Sequence, residues 1–391
     1  MSSNKKKICV ITGSRAEYGL LYSVLSNLKI KKNVKLQLIV TGMHLSTEFG
    51  LTYKEILKDK FRIDKRIEIV MSSDTPESIC KSTGLGLISF GEAYKDLKPD
   101  IVVVLGDRYE IMSAAFAALI SRIPIAHIHG GEVTIGAFDD AIRHSITKMS
   151  WLHFATNEIY KKRIIQLGES PSKVYNFGGL GAERTKNIKL YKKKELEKLL
   201  NFKLENDKLL MITFHPITLE NSSSFHQFKC LLKVLDKIKN RFFIFTLPNS
   251  DTDGRIIIDL IKKFNRKNSD RSRYFVSLGQ KKYFSLLKYC YAVVGNSSSG
   301  ILEVPSFQIP TINIGDRQKG RYMPRSVINC KPTISSISSA FKKIENINFR
   351  KKLKKSTNPY YKKNTARNIA NKLSTIKIPN DIKKKFIDLK N

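Results

Sequence analysis

Short, continuously apolar runs alternate with longer amphipathic stretches along the first half of the chain. Residues 8–12, 36–41, 101–105, 124–129, 153–156 and 174–177 are apolar on both alternating sets of positions. That pattern predicts parallel strands covered on both faces. Between them, apolar residues recur at helical spacing over 18–28, 77–97, 109–121, 139–149 and 158–167. Strand and helix in strict alternation predict a doubly wound parallel sheet. A charged, lysine-rich stretch near 186–208 reads as a boundary, and the alternation then restarts. Strands are expected at 209–214, 242–246, 274–278, 292–294 and 311–314, with helices at 225–239, 254–264, 282–290, 300–307 and 335–344. A last helix, about 363–376, is expected to cross back onto the first domain.

The predicted class is therefore α/β. Two Rossmann-like doubly wound domains in series, 1–185 and 186–355 with a closing segment 356–391, point to the GT-B architecture, whose strand C-termini face a cleft. Length agrees, since 391 residues exceed what one core usually serves. Composition is ordinary for a globular chain, 41% hydrophobic and 27% charged. No apolar run approaches the roughly 20 residues that span a bilayer, and residues 1–7 are polar and basic, so a cytoplasmic protein without a membrane partner is expected. Five scattered cysteines without a CxxC pair argue against disulfides and a cysteine metal site. The net charge of +36 invites a nucleic-acid reading. The lysines, however, are spread over the whole length among many Asn and Ile, as a biased composition spreads them. No nucleic-acid partner is expected, and the charge suits a cleft for a diphosphate.

Chemistry concentrates just after the strands. Gly13-Ser14-Arg15-Ala16-Glu17-Tyr18-Gly19 follows the first one; its glycine allows close backbone approach and the helix start favours an anion. It is not GxGxxG, so a dinucleotide is not indicated. A tight turn with a solvated arginine is the plain alternative. Gly106-Asp107-Arg108 ends the 101–105 run at the ligand edge of an open sheet, or Asp107 merely caps the next helix. His127-Ile128-His129-Gly130-Gly131-Glu132 places two histidines on one strand face. Without a third ligand at metal spacing, they read as pocket or structural histidines. Asp139 and Asp140 open a helix with Arg143 and His144 one turn on; capping is their plain role. Asp107, Glu132 and Asp139/Asp140 together supply carboxylates suited to proton removal and return. In the second half, His215 sits between Phe214 and Pro216 at a strand end. Gly295-Asn296-Ser297-Ser298-Ser299-Gly300 can bring N–H groups and hydroxyls to a phosphate. Glu303, one turn on, can accept from ribose hydroxyls, and Arg317 and Arg321 supply cations for a diphosphate.

Taken together, these segments resemble the hydrolysing UDP-N-acetylglucosamine 2-epimerases of sialic-acid synthesis and relatives acting on UDP-N,N'-diacetylbacillosamine. The likeness runs from about residue 6 to 370, and also includes Thr41-Gly42-Met43-His44 and Arg143-His144-Ser145-Ile146-Thr147-Lys148. It implies a homodimer or homotetramer and a UDP-sugar substrate, with no metal or nicotinamide cofactor. By the same resemblance, Asp107, Glu132, Asp139 and His215 are catalytic, with Asp140 an alternative to Asp139. Arg15 and Arg108 face the nucleotide sugar; His44, Arg143 and His144 line the sugar pocket. Ser297 and Ser298 hold phosphate, Glu303 the ribose, and Arg317 and Arg321 the diphosphate region. The implied reaction takes UDP-N-acetylglucosamine to N-acetylmannosamine and UDP through a 2-acetamidoglycal; UDP-N,N'-diacetylbacillosamine is the alternative substrate. A GT-B glycosyltransferase is the rival enzyme, but it has no need of the acidic cluster.

Overall fold

In the computed structural model, residues 5–73, 75–135, 138–205, 208–216, 223–248 and 254–388 are described. They form two compact units, each built on one parallel sheet. The first comprises Met1–Glu132, Asp139–Arg184 and Lys362–Asn391; the second comprises Val133–Phe138 and Thr185–Tyr361.

Seven strands make the first sheet: β1 (Lys6–Thr12), β2 (Val34–Thr41), β3 (Lys65–Ile67), β4 (Ile101–Leu105), β5 (Ile125–Ile128), β6 (Leu152–Ala155) and β7 (Val174–Asn176), in the order β3-β2-β1-β4-β5-β6-β7. Side-chain alternation explains why the central strands are apolar throughout. Ile8 and Val10 of β1, with Ile101, Val103 and Leu105 of β4, enter one core beside the helix Arg15–Lys29. Cys9 and Ile11, with Val102 and Val104, enter the opposite core beneath the helices Pro76–Leu97 and Tyr109–Ile120. Both faces are thus paid for by helices.

The second sheet runs β10-β9-β8-β11-β12-β13, all parallel: β8 (Leu209–Thr213), β9 (Phe242–Thr246), β10 (Ser272–Phe275), β11 (Cys290–Gly295), β12 (Thr311–Ile314) and β13 (Val327–Cys330). Leu210, Ile212, Phe243 and Phe245 fill one side; Leu209, Met211 and Ile244 fill the other. In each sheet the strand order reverses once, between β1 and β4 and between β8 and β11. Ligands of open α/β sheets bind at such switch points.

Several expectations are corrected. β3 and β13 are additional strands. The lysine-rich stretch read as a boundary holds the helix Lys193–Leu200, whose Leu196 and Leu200 are buried in the second unit. The helix expected over 300–307 breaks into Ser299–Leu302 and a 3₁₀ turn, Val304–Phe307, with Glu303 at the joint. Residues 356–361 do not leave with the last helix: Asn358 donates to the Leu302 carbonyl at 2.7 Å, and the Tyr360 hydroxyl donates to Tyr322. The segment Val133–Phe138 groups with the second unit, where the Ile135 N–H reaches the Lys319 carbonyl. The last helix, Thr365–Thr375, lays Ala366, Ile369, Ala370 and Leu373 into the core that holds Leu21, Val24, Leu25 and Leu28. Glu183 accepts from its Ala366 N–H at 2.9 Å. Among the described residues no helix is long and apolar enough to cross a membrane.

Candidate functional site

At the first switch point, β1 ends in a capping box. Ser14 accepts from the Glu17 N–H, and Glu17 accepts from the Gly13 N–H at 2.9 Å. Burial pushes the Glu17 carboxyl well above the usual carboxylate range, with Glu110 adding to the effect. Glu110 packs against the turn after β1 so closely that a Cβ on Gly13 would lie 2.5 Å from its Cγ. Arg108 Nε donates to Glu110 Oε1 at 2.6 Å. Arg15 is held by Glu55 in the same way, at 2.9 Å. Each arginine is thus oriented by a carboxylate on its Nε edge.

His44 is fully buried. Its Nε2 lies 3.2 Å from Thr12 Oγ1 and its Nδ1 2.8 Å from Thr52 Oγ1. Burial, with Arg15 nearby, lowers its pKa to about 3. A neutral ring with both nitrogens engaged props the turn after β1.

Arg143 is held in a similar way. It is only 1% exposed. Its guanidinium donates to the Asp107 carboxylate, to Asp140 Oδ1 at 3.3 Å and to the Glu132 carbonyl at 3.0 Å. Helical spacing puts Asp140, Arg143 and His144 together; His144 Nε2 lies 3.6 Å from Asp140 Oδ2. Asp139 is the first residue of that helix, Asp139–Met149. Gly136 and Ala137, part of the same motif, lie outside the described residues. Glu132 is buried; its Oε1 accepts from the Thr156 hydroxyl at 3.2 Å and lies 3.5 Å from His129 Nδ1. The two histidines do not share a strand face. β5 ends at Ile128, and His129 turns away with φ +69. Among the described residues no three His, Cys, Asp or Glu are grouped to hold a metal.

The second switch point is stitched by Asn296. Its buried amide accepts from the His215 N–H at 2.7 Å and donates to the His215 carbonyl at 2.8 Å. The end of β8 is thereby tied to the end of β11. Gly295 takes φ +138 there, and a Cβ would lie 1.9 Å from the Thr213 carbonyl oxygen. The Asn296 carbonyl in turn accepts from Gln318 at 2.8 Å and from Arg317 at 3.3 Å, bringing in the loop after β12. Ser297 and Ser298 are half-buried at the start of the short helix, where Ser297 Oγ accepts from the Ser299 N–H. Glu303 is buried, and Arg321 is half-buried on the loop that carries Arg317.

In the first unit, then, Asp107, Glu132, Asp140, Arg143 and His144 form one network, while Arg15, His44 and Arg108 surround the β1–β4 reversal. In the second, His215, Ser297, Ser298 and Arg317 gather at the β8–β11 reversal. Glu110, Asn296 and Gln318 were given no role from sequence. Their signal was a polar residue one to five positions past a strand end, which alone does not distinguish a buried brace from a solvated side chain.

Comparison with known proteins agrees in scope. Residues 26–374 match the family described as UDP-N-acetylglucosamine 2-epimerase. The chain is 48% identical, over 89% of both chains, to the GDP/UDP-N,N'-diacetylbacillosamine 2-epimerase (hydrolyzing) of Campylobacter jejuni. It is 41% identical, over 98% of both, to the polysialic acid biosynthesis protein P7 of Escherichia coli. Its fold is similar to that of the UDP-GlcNAc 2-epimerase from Neisseria meningitidis, solved bound to UDP-GlcNAc, with a TM-score of 0.77 at 20% identity, covering 94% of this chain and 99% of that one.

Proposed function

Since the chain belongs to the UDP-N-acetylglucosamine 2-epimerase family, in its hydrolysing branch, we propose that it eliminates UDP from a UDP-activated 2-acetamido sugar and hydrates the product. A base takes the C2 proton while UDP leaves C1, giving a 2-acetamidoglycal. Water then adds across the double bond, C2 emerges inverted, and a free mannosamine-type sugar is released. The C2 proton is weakly acidic, so a placed carboxylate and a stabilised leaving group are both required. Asp107, Glu132, Asp139 and His215 carry the proton transfers. Ser297, Ser298, Arg317 and Arg321 hold the diphosphate and Glu303 the ribose. Arg15, Arg108 and His144 meet the substrate; His44 and Arg143 act from beneath, through the residues they hold.

The substrate we favour is UDP-N,N'-diacetylbacillosamine, giving 2,4-diacetamido-2,4,6-trideoxymannose. The supporting observation is the 48% identity to a relative named for that sugar. It reverses the order of preference drawn from sequence, which put UDP-N-acetylglucosamine first. NMR of the products released from each sugar under equal conditions tests this. The expected result is at least about a tenfold higher kcat/KM for the diacetamido sugar, a difference of about 1.4 kcal/mol; the opposite ratio restores UDP-N-acetylglucosamine. The same reading includes assembly as a homodimer or homotetramer in the cytoplasm. Support comes from Leu85 and Ile88, and Phe116 and Ile120, left exposed on two helices that pack together, and from five unpaired cysteines. Light scattering coupled to size exclusion measures the assembly.

A further inference from the structure

His127 was expected to be a pocket or structural histidine, and the proposed reaction gives it no step. It is fully buried. Its Nε2 lies 2.8 Å from the Gly106 carbonyl oxygen and its Nδ1 3.1 Å from Thr147 Oγ1. A carbonyl only accepts, so the ring proton sits on Nε2. Nδ1 is then bare and accepts from the Thr147 hydroxyl. Burial lowers the pKa to about 3, so the ring remains neutral and this tautomer holds.

The two partners matter. Gly106 immediately precedes Asp107. Thr147 lies one helical turn after Arg143, the residue whose guanidinium grips the Asp107 carboxylate. One imidazole therefore joins the backbone beneath the carboxylate to the helix that carries its cation.

The neighbouring glycine supports the same reading independently. Gly130 does not have the left-handed φ that would require glycine. A Cβ there would lie 2.9 Å from Thr147 Oγ1 and 3.0 Å from His127 Nδ1. Glycine at 130 thus leaves space for the histidine–threonine hydrogen bond.

We propose that His127 is a positioning residue, its Nε2–H tautomer and the Thr147 hydroxyl fixing the Asp107–Arg143 pair for proton transfer. This rests on the reading of Asp107 as an acid–base group. Losing the link lets the carboxylate drift relative to C2, and a displacement of about 1 Å can cost on the order of 100-fold in rate.

The test uses Thr147→Val, which keeps the side-chain shape but removes the donor, and Thr147→Ser, which restores it. Thr147→Val should lower kcat by about 10- to 100-fold with KM and calorimetric UDP affinity within about twofold, and Thr147→Ser should return kcat to within about threefold of wild type. In an Asp107→Asn background, Thr147→Val should change the residual rate by less than about twofold, because nothing remains to position. Gly130→Ala, which crowds the same bond without removing either partner, should shift kcat in the same sense and serves if Thr147→Val does not fold. Wild-type kcat in the folded Thr147→Val or Gly130→Ala protein overturns the proposal. So does an equal loss with or without the Asp107 carboxylate, which marks a general structural effect. If Asp107→Asn itself turns over normally, the acid–base reading fails instead, and that result is distinguishable because it does not involve Thr147.

Discussion

A guanidinium stripped of water is stable only where carboxylates and carbonyls replace its hydration. Arg143 meets that condition through Asp107, Asp140 and the Glu132 carbonyl. The cation is buried while Asp107 stays 23% exposed, so the pair presents a carboxylate outward and hides its counter-charge. Glu132 differs, being buried with Thr156 and His129 as neighbours. Glu132→Gln still accepts from Thr156 but cannot exchange a proton. Turnover should fall by about 10²–10⁴-fold with UDP affinity unchanged. Arg317→Ala should show the converse, weaker UDP binding in calorimetry with a smaller effect on kcat, since its cation meets a group present throughout the reaction. The buried histidines set a pH dependence. His44 and His127 fall from 6.5 to about 3 in the fold. Between those values the unfolded chain binds more protons, so stability is complete above about pH 6.5 and drains as pH falls toward 3. Each ring contributes a slope of up to about 1.4 kcal/mol per pH unit. Urea midpoints at pH 7.5 and 5.5 should differ in that direction, and His127→Phe should flatten the slope. Polar residues directly after apolar runs, such as Asp107, Glu132, His215 and Ser297, were legible as site candidates because a strand's exit is a local feature. The burial of His44 and Arg143 was not, because it depends on Thr52 and Glu132, partners that no short window contains.

At the scale of elements, central strands declared themselves because both faces are covered and apolar residues fall on both. Edge strands did not. β3 is three residues long and β13 has no fully buried position, so their sequences look like loops and only pairing to β2 and β12 defines them. The lysines of Lys193–Leu200 masked two buried leucines for a related reason: long charged side chains reach solvent from a helix whose other face is packed. The strand-to-helix exits carry the tightest constraints. Gly295 has a left-handed-side φ and no room for a Cβ beside the Thr213 carbonyl. Gly295→Ala should therefore push β8 and β11 apart, displace Asn296 and release His215. A melting-temperature drop and loss of UDP binding should occur together. If the alanine variant keeps both, the β8–β11 junction is not the constraint described.

At the scale of the whole molecule, the chain starts the first unit, builds the second, and returns to complete the first with Thr365–Thr375. The alternating strand and helix pattern made two doubly wound sheets readable, and the last helix was expected to cross back onto the first domain. The excursion of Val133–Phe138 into the second unit was not readable, since it depends on loop contacts such as Ile135 with Lys319. The returning helix buries its Leu373 completely. Leu373→Ala should cost about 2–4 kcal/mol in urea denaturation, and a chain stopped after Tyr361 should lose soluble yield. This topology also decides the order of events during synthesis. Leu21, Val24, Leu25 and Leu28 emerge from the ribosome before the second unit, but the helix that covers them is made after it. At about 5–20 residues per second, that greasy stripe waits on the order of 20–70 s. The unit that begins first is thus closed only after the second has been built, and its apolar helix face stays uncovered at the tunnel exit until then.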